Sequence, residues 1–171
     1  MYSYFLPDQY VKDVYQLSPT DFINRGIKGI ITDLDNTLVA WDRPDATPEI
    51  ATWIKEMQDA GLQVTILSNN NELRVKAFSE PIKTPFIFSA RKPLSKAFRK
   101  ALDQMGLQKE EVVMIGDQVM TDILGGNRFG LQTILVVPVA SSDGFMTKFN
   151  RQLERRILKT LKRKGMISWE E

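Results

Sequence analysis

The sequence predicts an α/β domain built on a parallel sheet, and three observations support this. Short apolar runs alternate with amphipathic segments of about ten residues along most of the chain. Polar side chains follow the end of each of the first four runs. The chain of 171 residues is 43% hydrophobic and 26% charged, as expected for one globular domain. We therefore expect a single domain over residues 1–171, with its core at about 26–140.

Five short apolar runs are the predicted strands, because each is bounded by glycine, proline or polar turn residues. These runs cover residues 28–32, 63–67, 86–88, 112–115 and 133–137. The helices between them begin and end at capping residues. Thr47 and Pro48 open the first of these helices, and Gly61 closes it. Gly106 and Gly130 close two later helices in the same way, so strands and helices alternate throughout the core.

The first 17 residues form an aromatic arm ahead of the core. Tyr10 and Val14 stand at helical spacing, as do Val11 and Tyr15. We expect this arm, residues 1–17, to lie against the domain. The alternative is an exposed aromatic arm that contacts a partner or a membrane surface.

Residues 145–164 are predicted to form a basic amphipathic helix at the C-terminus. Its apolar side chains recur every four residues, at Phe145, Phe149, Leu153, Ile157 and Leu161. Residues 145–171 hold 8 Lys and Arg against 3 Glu, whereas residues 1–144 hold 15 Lys and Arg against 18 Asp and Glu. The helix could simply pack its apolar stripe on the domain. Alternatively, its charge could attract anionic membrane lipid or RNA.

The composition excludes several classes of site. The sequence contains no cysteine and no histidine, which excludes disulfides, cysteine and histidine nucleophiles, and Cys- or His-based zinc sites. No apolar run reaches the roughly 20 residues of a membrane-spanning helix, and no signal peptide is predicted. We therefore expect a cytoplasmic protein, with a peripheral membrane location as the variant that the basic helix allows.

A polar side chain follows the end of each of the first four predicted strands. In chain order these are Asp33 with Asp35, Ser68, Lys92 and Asp117, with Asp122 at the start of the next helix. Because the carboxyl ends of parallel strands meet at one edge of a sheet, we expect these side chains to lie together. Each residue alone also has a purely structural interpretation, as a turn residue, a helix cap or a solvated lysine. Their order along the chain favours a shared site.

This set of side chains suits phosphoryl transfer. Hard divalent cations such as Mg²⁺ take oxygen ligands, usually with one or two carboxylates among them. A lysine and a hydroxyl can bind phosphoryl oxygens, and a carboxylate in line with phosphorus can form an aspartyl-phosphate. Phosphoryl transfer needs mainly positioning and charge neutralisation, which these groups can supply without histidine. The sequence has neither a Walker motif nor a Gly-x-Gly-x-x-Gly loop, so nucleotide-binding folds of those kinds are disfavoured.

The order of these motifs resembles that of the haloacid dehalogenase (HAD) superfamily over most of residues 28–137. Asp33-Leu34-Asp35-Asn36-Thr37 resembles motif I, Ser68 motif II, Lys92 motif III, and the stretch from Gly116 to Asp122 motif IV. The resemblance implies a three-layer Rossmannoid domain with a five-stranded parallel sheet in the order 5-4-1-2-3. Motifs I and II are 35 residues apart, and motifs II and III are 24 apart, so we expect no cap domain.

The resemblance also implies a catalytic role for each motif residue. Asp33 would be the nucleophile that takes the phosphoryl group. Asp35 would be the acid that protonates the leaving group and then the base that activates water. Asp33, Asp117 and the backbone carbonyl of Asp35 would hold Mg²⁺. Thr37 and Asp122 would orient these groups, with Asp122 behind the direct ligands of the metal.

Three more residues would complete the site that the resemblance implies. Ser68 and Lys92 would be catalytic and, with Asn69, would bind the phosphoryl oxygens. More narrowly, the chain resembles the YqeG-type phosphatases of HAD subfamily IIIA. This resemblance lies in Gly-Ile-Lys-Gly at 26–29, Leu-Ser-Asn-Asn at 67–70, and Gly-Gly-Asn-Arg at 125–128. That family is related to phosphatidylglycerophosphate phosphatases, so a lipid phosphomonoester is an implied substrate.

We therefore predict a Mg²⁺-dependent phosphatase that hydrolyses a phosphomonoester through an aspartyl-phosphate on Asp33, with phosphatidylglycerophosphate as a candidate substrate. A site without a cap stays open, which suits a bulky substrate. One alternative is a binding or assembly factor, linked to the ribosome or the membrane, that acts through its basic helix. Another is a receiver-like domain that stores phosphate on an aspartate, although Asp35 favours turnover over storage.

Overall fold

A six-stranded sheet forms the centre of the structure, a computed structural model that describes residues 2–142 and 145–168, with the backbone alone at 145–149. The strands are β1 (Gln9–Val11), β2 (Gly29–Thr32), β3 (Gln63–Leu67), β4 (Phe86–Ile87), β5 (Val112–Gly116) and β6 (Gln132–Val136). They lie in the order β1-β6-β5-β2-β3-β4, and every neighbouring pair is parallel. All carboxyl ends of the strands therefore meet at one edge.

The prediction of a five-stranded sheet in the order 5-4-1-2-3 was wrong, because the N-terminal arm contributes a sixth strand. β1 pairs with β6 and places Gln9 opposite Ile134. Asp8 fixes this register from the side of the arm. Its carboxylate accepts a hydrogen bond of 2.8 Å from the backbone N–H of Thr133, and its own N–H donates to the Thr133 carbonyl at 2.9 Å.

The helical spacing in the arm produces only short helical turns. Two 3₁₀ helices, Tyr2–Phe5 and Val14–Gln16, lie on either side of β1. A strand of three residues carries too little alternation of apolar and polar side chains to be recognised in a sequence. Its partner strand, moreover, lies about 125 residues further along the chain. Pairing over that distance leaves no local pattern.

Six α-helices occur in the described part of the chain. They are α1 (Pro19–Asn24), α2 (Pro48–Asp59), α3 (Glu72–Ser79), α4 (Ser95–Met105), α5 (Leu124–Phe129) and α6 (Phe145–Arg163). Thr47 caps α2 as expected, since its hydroxyl accepts a hydrogen bond from the N–H of Ile50. Gly106 ends α4 in the left-handed conformation with φ of 66°. The helix predicted to end at Gly130 is divided, because a π-helical turn, Val119–Ile123, precedes α5.

The helices cover both faces of the sheet and give a three-layer α/β/α domain. Successive residues of a strand point to opposite faces. Ile30 in β2 therefore packs in a cluster with residues of α1, α2 and α3, whereas Ile31 packs in a second cluster with residues of α4 and α5. Phe98 of α4 and Phe129 of α5 stack in that second cluster, with ring centroids 5.8 Å apart. The arrangement leaves the carboxyl edge of β2 and β5 between the two helical layers.

The C-terminal helix α6 packs beside β6 and the π-helical turn. Its inward face carries Arg151, Glu154, Leu158 and Leu161. Leu161 belongs to the predicted stripe, whereas Leu153 of the same stripe is 38% exposed, and the side chains of Phe145 and Phe149 lie outside the described residues. Among the helices that the structure describes, none is both long and apolar enough to cross a membrane.

Candidate active site

Strand ends place two buried carboxylates next to each other. Asp33 directly follows β2, and its backbone N–H donates to the carbonyl of Ile115 in β5 at 2.9 Å. The sheet ladder thus extends into the first residue of the motif. Asp117 directly follows β5, the neighbouring strand. Both side chains are buried. Because each residue directly follows a strand, β2 and β5 fix their positions.

Lys92 lies between two of the buried carboxylates. Its Nζ atom is 2.8 Å from Oδ1 of Asp33 and 2.7 Å from Oδ1 of Asp122. The lysine side chain is only 2% exposed. Burial by itself would lower the pKa of Lys92, but the negative charges of Asp122 and Asp33 outweigh it, and the pKa is raised. Lys92 is therefore a permanent cation at neutral pH.

Asp117 is held on both sides. The hydroxyl of Thr37 donates to Oδ1 of Asp117 at 2.9 Å, and Arg151 of α6 contacts Oδ2. Burial raises the pKa of Asp117 well above its ordinary value, and the charge of Asp33 adds to this rise while Arg151 opposes it. A metal cation bound beside this carboxylate would favour its ionised form.

Asp122 is completely buried beneath the end of β5. Its Oδ2 atom accepts a hydrogen bond of 3.1 Å from the N–H of Gln118. Burial raises the pKa of Asp122 to about 6, with Lys92 acting in the opposite direction. Only glycine fits at position 116, because a Cβ atom there would lie 2.2 Å from Oδ2 of Asp122. Gly116 is thus the local reason that this carboxylate can reach the site.

The three buried acids form a cluster that could hold a metal. Asp33, Asp117 and Asp122 each offer a carboxylate oxygen, and these oxygens all lie within 4.8 Å of one another. Carboxylates this close repel one another unless protons or cations intervene. A set of oxygen donors of this kind fits a hard divalent cation such as Mg²⁺.

Asp35 lies outside this acid cluster. Arg74 of α3 donates to its Oδ1 atom from Nε at 3.1 Å and from Nη2 at 2.9 Å. Asn70 donates to Oδ2 of Asp35 at 2.9 Å. The loop turns here because Asn36 adopts the left-handed conformation with φ of 62°. Its carbonyl accepts from the N–H of Val139, which joins this loop to the segment after β6.

The residues predicted to bind phosphate occupy different places. Ser68 is buried at the end of β3, and its hydroxyl accepts a hydrogen bond of 3.1 Å from the N–H of Asn70. Asn69 instead holds the backbone of Lys92. Its Oδ1 accepts from the N–H of Lys92 at 2.7 Å, and its Nδ2 donates to the carbonyl of Lys92 at 3.2 Å. Asn69 therefore positions the lysine as well as lying near the site.

Comparisons with known proteins identify the family. A family model described as HAD-hydrolase-like matches residues 89–143. The chain is 63% identical over 168 residues to the probable phosphatase YqeG of Bacillus subtilis (strain 168), and the match covers 98% of each protein. The chain belongs to the YqeG-type phosphatases of the HAD superfamily. The predicted family and the predicted enzyme class are thereby confirmed.

More distant relatives agree with the fold of a HAD phosphatase. The chain is 28% identical over 174 residues to phosphatidylglycerophosphate phosphatase 1 of Arabidopsis thaliana, covering 95% of this chain but only 50% of that protein. A solved structure of the cobalt-bound YrbI phosphatase of Haemophilus influenzae matches with a TM-score of 0.56 at 18% identity, covering 79% of this chain and 89% of that one. The structure of a putative HAD subfamily IIIA hydrolase of Legionella pneumophila matches with a TM-score of 0.53 at 19% identity, covering 86% of this chain and 93% of that one.

Membership of this family indicates the chemistry for which the acid cluster is suited. HAD phosphatases use a divalent metal, and this HAD phosphatase buries three acids at the carboxyl edge of its sheet. The residues around the site that were not predicted to be there include Arg74, Arg151 and Glu154. Arg74 meets Asp35 across 39 residues of chain, so no local pattern marks it. Arg151 and Glu154 occupy one face of α6, where the four-residue apolar stripe was the stronger signal.

The pKa values of Asp117 and Asp122 predict a pH dependence for metal binding. Both pKa values are raised in the folded protein, so protonation of these groups stabilises the metal-free fold at low pH. The contribution of Asp122 is lost as pH rises through about 6. Mg²⁺ must displace more protons at pH 5 than at pH 8. We expect a fixed Mg²⁺ concentration, about 100 times the Kd at pH 8, to raise Tm by about 5–10 °C at pH 8 and by less at pH 5.

Thermal unfolding with and without Mg²⁺ at the two pH values measures this difference. Ca²⁺-free buffers of equal ionic strength separate site binding from general charge screening. An equal or larger Mg²⁺ effect at pH 5 would contradict a metal site at the cluster of buried acids.

Proposed function

We propose that this HAD phosphatase is Mg²⁺-dependent and hydrolyses a lipid phosphomonoester through an aspartyl-phosphate on Asp33. The observation that carries the proposal is the position of Asp33. Its carboxylate is buried, is bound by Lys92 and belongs to the acid cluster. A nucleophile, a cation for phosphoryl oxygens and a metal site would then act on one phosphorus atom.

The covalent step would use the Asp33 oxygen that Lys92 does not contact. Lys92 binds Oδ1, and Oδ2 lies 3.5 Å from the hydroxyl of Thr37. Attack by Oδ2 forms the bond to phosphorus while the bond from phosphorus to the leaving oxygen breaks. Water then attacks the same phosphorus, releases phosphate and restores the Asp33 carboxylate. Lys92 and Ser68 would bind the oxygens that stay on phosphorus throughout.

Asp35 would supply and take up the proton in these two steps. It would protonate the leaving oxygen first and would then remove a proton from the attacking water. In the structure its carboxylate contacts Arg74 and Asn70. The proposed proton transfers require it to turn from these partners toward Asp33. Arg74 and Asn70 would therefore hold the Asp35 side chain outside the acid cluster between turnovers.

Mg²⁺ would be held by Asp33, Asp117 and the backbone carbonyl of Asp35. Asp122 offers a further carboxylate oxygen in the same cluster and also binds Lys92. When bound, the ion would neutralise charge on the transferring phosphoryl group. Thr37 would keep the ligands in place, because its hydroxyl donates to Asp117 and lies near Asp33.

A cavity beside the acid cluster supports a substrate with an apolar part. The cavity has a volume of about 490 Å³ and lies between the segment after β6 and helix α6, with Asp117 on its wall. Most of its lining is apolar, from Tyr10, Val119, Leu135, Val136, Val137, Pro138, Val139, Ala140 and Leu158. Val139 is 53% exposed, so this wall is open to solvent. The named activity of the Arabidopsis relative on phosphatidylglycerophosphate supports the same class of substrate.

The polar face of α6 supports contact with an anionic lipid surface. Its exposed cations are Arg155, Arg156, Lys159, Lys162 and Arg163. Each basic residue near an anionic membrane contributes about 1 kcal/mol of attraction. A peripheral position would bring the site to a lipid phosphate. RNA binding by the same face stays the alternative prediction.

A panel of phosphomonoesters tests the proposal. Phosphatidylglycerophosphate in vesicles, glycerol 3-phosphate and an aryl phosphate are compared with Mg²⁺ and with EDTA. We expect EDTA to abolish all hydrolysis and kcat/KM to be at least about tenfold higher for the lipid than for glycerol 3-phosphate, a difference of about 1.4 kcal/mol. Hydrolysis that persists in EDTA contradicts the metal requirement. Hydrolysis of the small esters without the lipid contradicts the substrate.

Val139→Asp tests the cavity itself. A carboxylate on the apolar wall should lower kcat/KM for the lipid about tenfold and leave the aryl phosphate unaffected, because only the lipid needs this wall. Ile23→Asp is the matched control, since Ile23 is 50% exposed on α1, before the amino end of β2. Equal losses on both substrates would contradict a separate site for the apolar part.

A further inference from the structure

One side chain from the C-terminal helix reaches the acid cluster. Arg151 of α6 donates from Nη1 to the backbone carbonyl of Asp117 at 2.8 Å and contacts Oδ2 of the same residue through Nη2. We propose that Arg151, supported by Glu154, is a positioning residue that fixes Asp117 as a metal ligand. The proposal rests on the metal-dependent function above and adds a fifth segment of chain to the site.

The geometry of the contact restricts Asp117 strongly. The planar guanidinium of Arg151 binds the side chain and the backbone of Asp117 at the same time, which a single ammonium group cannot reproduce. The Asp117 side chain is fully buried, and that of Arg151 is only 15% exposed. A buried charged pair of this kind has little freedom to rotate. Arg151 therefore sets the orientation of the carboxylate.

The two carboxylate oxygens of Asp117 have different partners. Oδ2 contacts Arg151, while Oδ1 accepts from the hydroxyl of Thr37 at 2.9 Å. The same hydroxyl lies 3.5 Å from Oδ2 of Asp33. Thr37 thus connects the two carboxylates on the side where the acid cluster forms. Asp117 would hold the metal through the carboxylate that Arg151 and Thr37 keep in place.

Glu154 supports Arg151 one helical turn further along α6. Its Oε2 accepts from Nη1 of Arg151 at 3.1 Å, and its Oε1 accepts from the backbone N–H of Met120 at 3.0 Å. Glu154 is only 4% exposed. The pair therefore joins α6 to both Asp117 and the π-helical turn that follows it.

The charges around Asp117 indicate whether Arg151 positions this carboxylate or competes with the metal for it. A lone guanidinium beside Asp117 would repel a divalent cation and weaken its binding. Glu154 offsets this charge, so Arg151 and Glu154 together are neutral. Among the described residues, the other buried charged groups of the site are three carboxylates, from Asp33, Asp117 and Asp122, and one cation from Lys92. With all three carboxylates ionised, these groups carry two net negative charges, which a divalent cation neutralises. Glu154 therefore reduces the repulsion that Arg151 would exert on a metal ion held by Asp117.

Mg²⁺ titrations of matched variants test this inference. The variants are Arg151→Ala, Arg151→Lys and Glu154→Gln, and Arg156→Ala is the control, since Arg156 is exposed on the same helix. Thermal unfolding against Mg²⁺ concentration reports binding without activity. For Arg151→Ala we expect about tenfold more Mg²⁺ at half-maximal stabilisation, comparable with the loss of a residue that orients a metal ligand. The Mg²⁺ needed for half-maximal hydrolysis should rise equally, and excess Mg²⁺ should restore part of kcat.

The conservative variants give a graded result. Lysine at 151 can contact one oxygen of Asp117 but cannot bridge carboxylate and carbonyl in the same way, so Arg151→Lys should lie between the parent and Arg151→Ala. Glu154→Gln keeps an acceptor for Met120 and should raise the Mg²⁺ requirement less. These two variants decide the question if Arg151→Ala does not fold.

Each contrary result of these titrations would overturn a different part of the proposal. Unchanged or tighter Mg²⁺ binding in the Arg151 and Glu154 variants, with normal binding by the parent, overturns the positioning role alone. Tighter binding would show that Arg151 competes with the metal. Absence of any Mg²⁺ effect on the parent overturns both this inference and the proposed metal-dependent function. A loss of the same size in Arg156→Ala would show that the effect comes from the basic helix in general.

Discussion

Replacement of Asp33 by asparagine is expected to lower kcat for phosphomonoester hydrolysis by about 10⁴-fold or more, as found when a covalent nucleophile is removed. The amide has nearly the shape of the carboxylate but cannot form a stable bond to phosphorus. Lys92 keeps its contact with Asp122, so the fold should be retained. Initial rates with an aryl phosphate and saturating Mg²⁺ measure the loss.

The control for this prediction is Asp42→Asn, which changes an exposed acid in the turn after motif I. It should leave kcat and Tm unchanged. Asp33→Asn should keep or raise Tm, because it removes one of the mutually repelling buried carboxylates. Activity above about one hundredth of the parent value would exclude Asp33 as the nucleophile, since a loss of 10²-fold is typical of groups that only assist.

Replacement of Lys92 by methionine is expected to cause the largest loss of stability. Methionine fills similar space, but Asp33 and Asp122 then lose the cation that both contact at less than 3 Å. Breaking a buried ion pair by removing one partner reduces the free energy of unfolding by about 3–5 kcal/mol. Hydrolysis should also be lost, because the proposed ligand for phosphoryl oxygens is gone. Urea unfolding of the metal-free protein measures the change.

Lys96→Met provides the comparison, because Lys96 is exposed on α4 close to Lys92 in the chain. Exposed substitutions of this kind usually change the free energy of unfolding by less than about 0.5 kcal/mol. If Lys92→Met also fell in that range, Lys92 would not be the cation that neutralises the acid cluster.

The meeting of Asp33, Lys92, Asp117 and Asp122 could be predicted because it follows from topology. Each residue comes after a strand or begins the next helix, and parallel strands present their carboxyl ends on one side. The short apolar runs of β2, β3 and β5 are clear in the sequence. Their order along the chain is therefore sufficient to group these residues.

Contacts that depend on the register of a distant element could not be predicted. β1 is three residues long and pairs with β6 across most of the chain, so the number of strands was wrong. Arg151 fits the basic face of an amphipathic helix, but Asp117 draws it inward with Glu154. Asp35 was expected at the metal through its carbonyl, and nothing near it in sequence indicated that Arg74 would bind its side chain.

Chemical trapping of the phosphorylated enzyme tests the central claim most directly. A reaction quenched during turnover is reduced with borohydride, which converts an aspartyl-phosphate to homoserine, and the peptides are then analysed by mass spectrometry. We expect homoserine at position 33, dependent on both substrate and Mg²⁺. Homoserine at another aspartate, or none at all in an enzyme that is turning over rapidly, would contradict it.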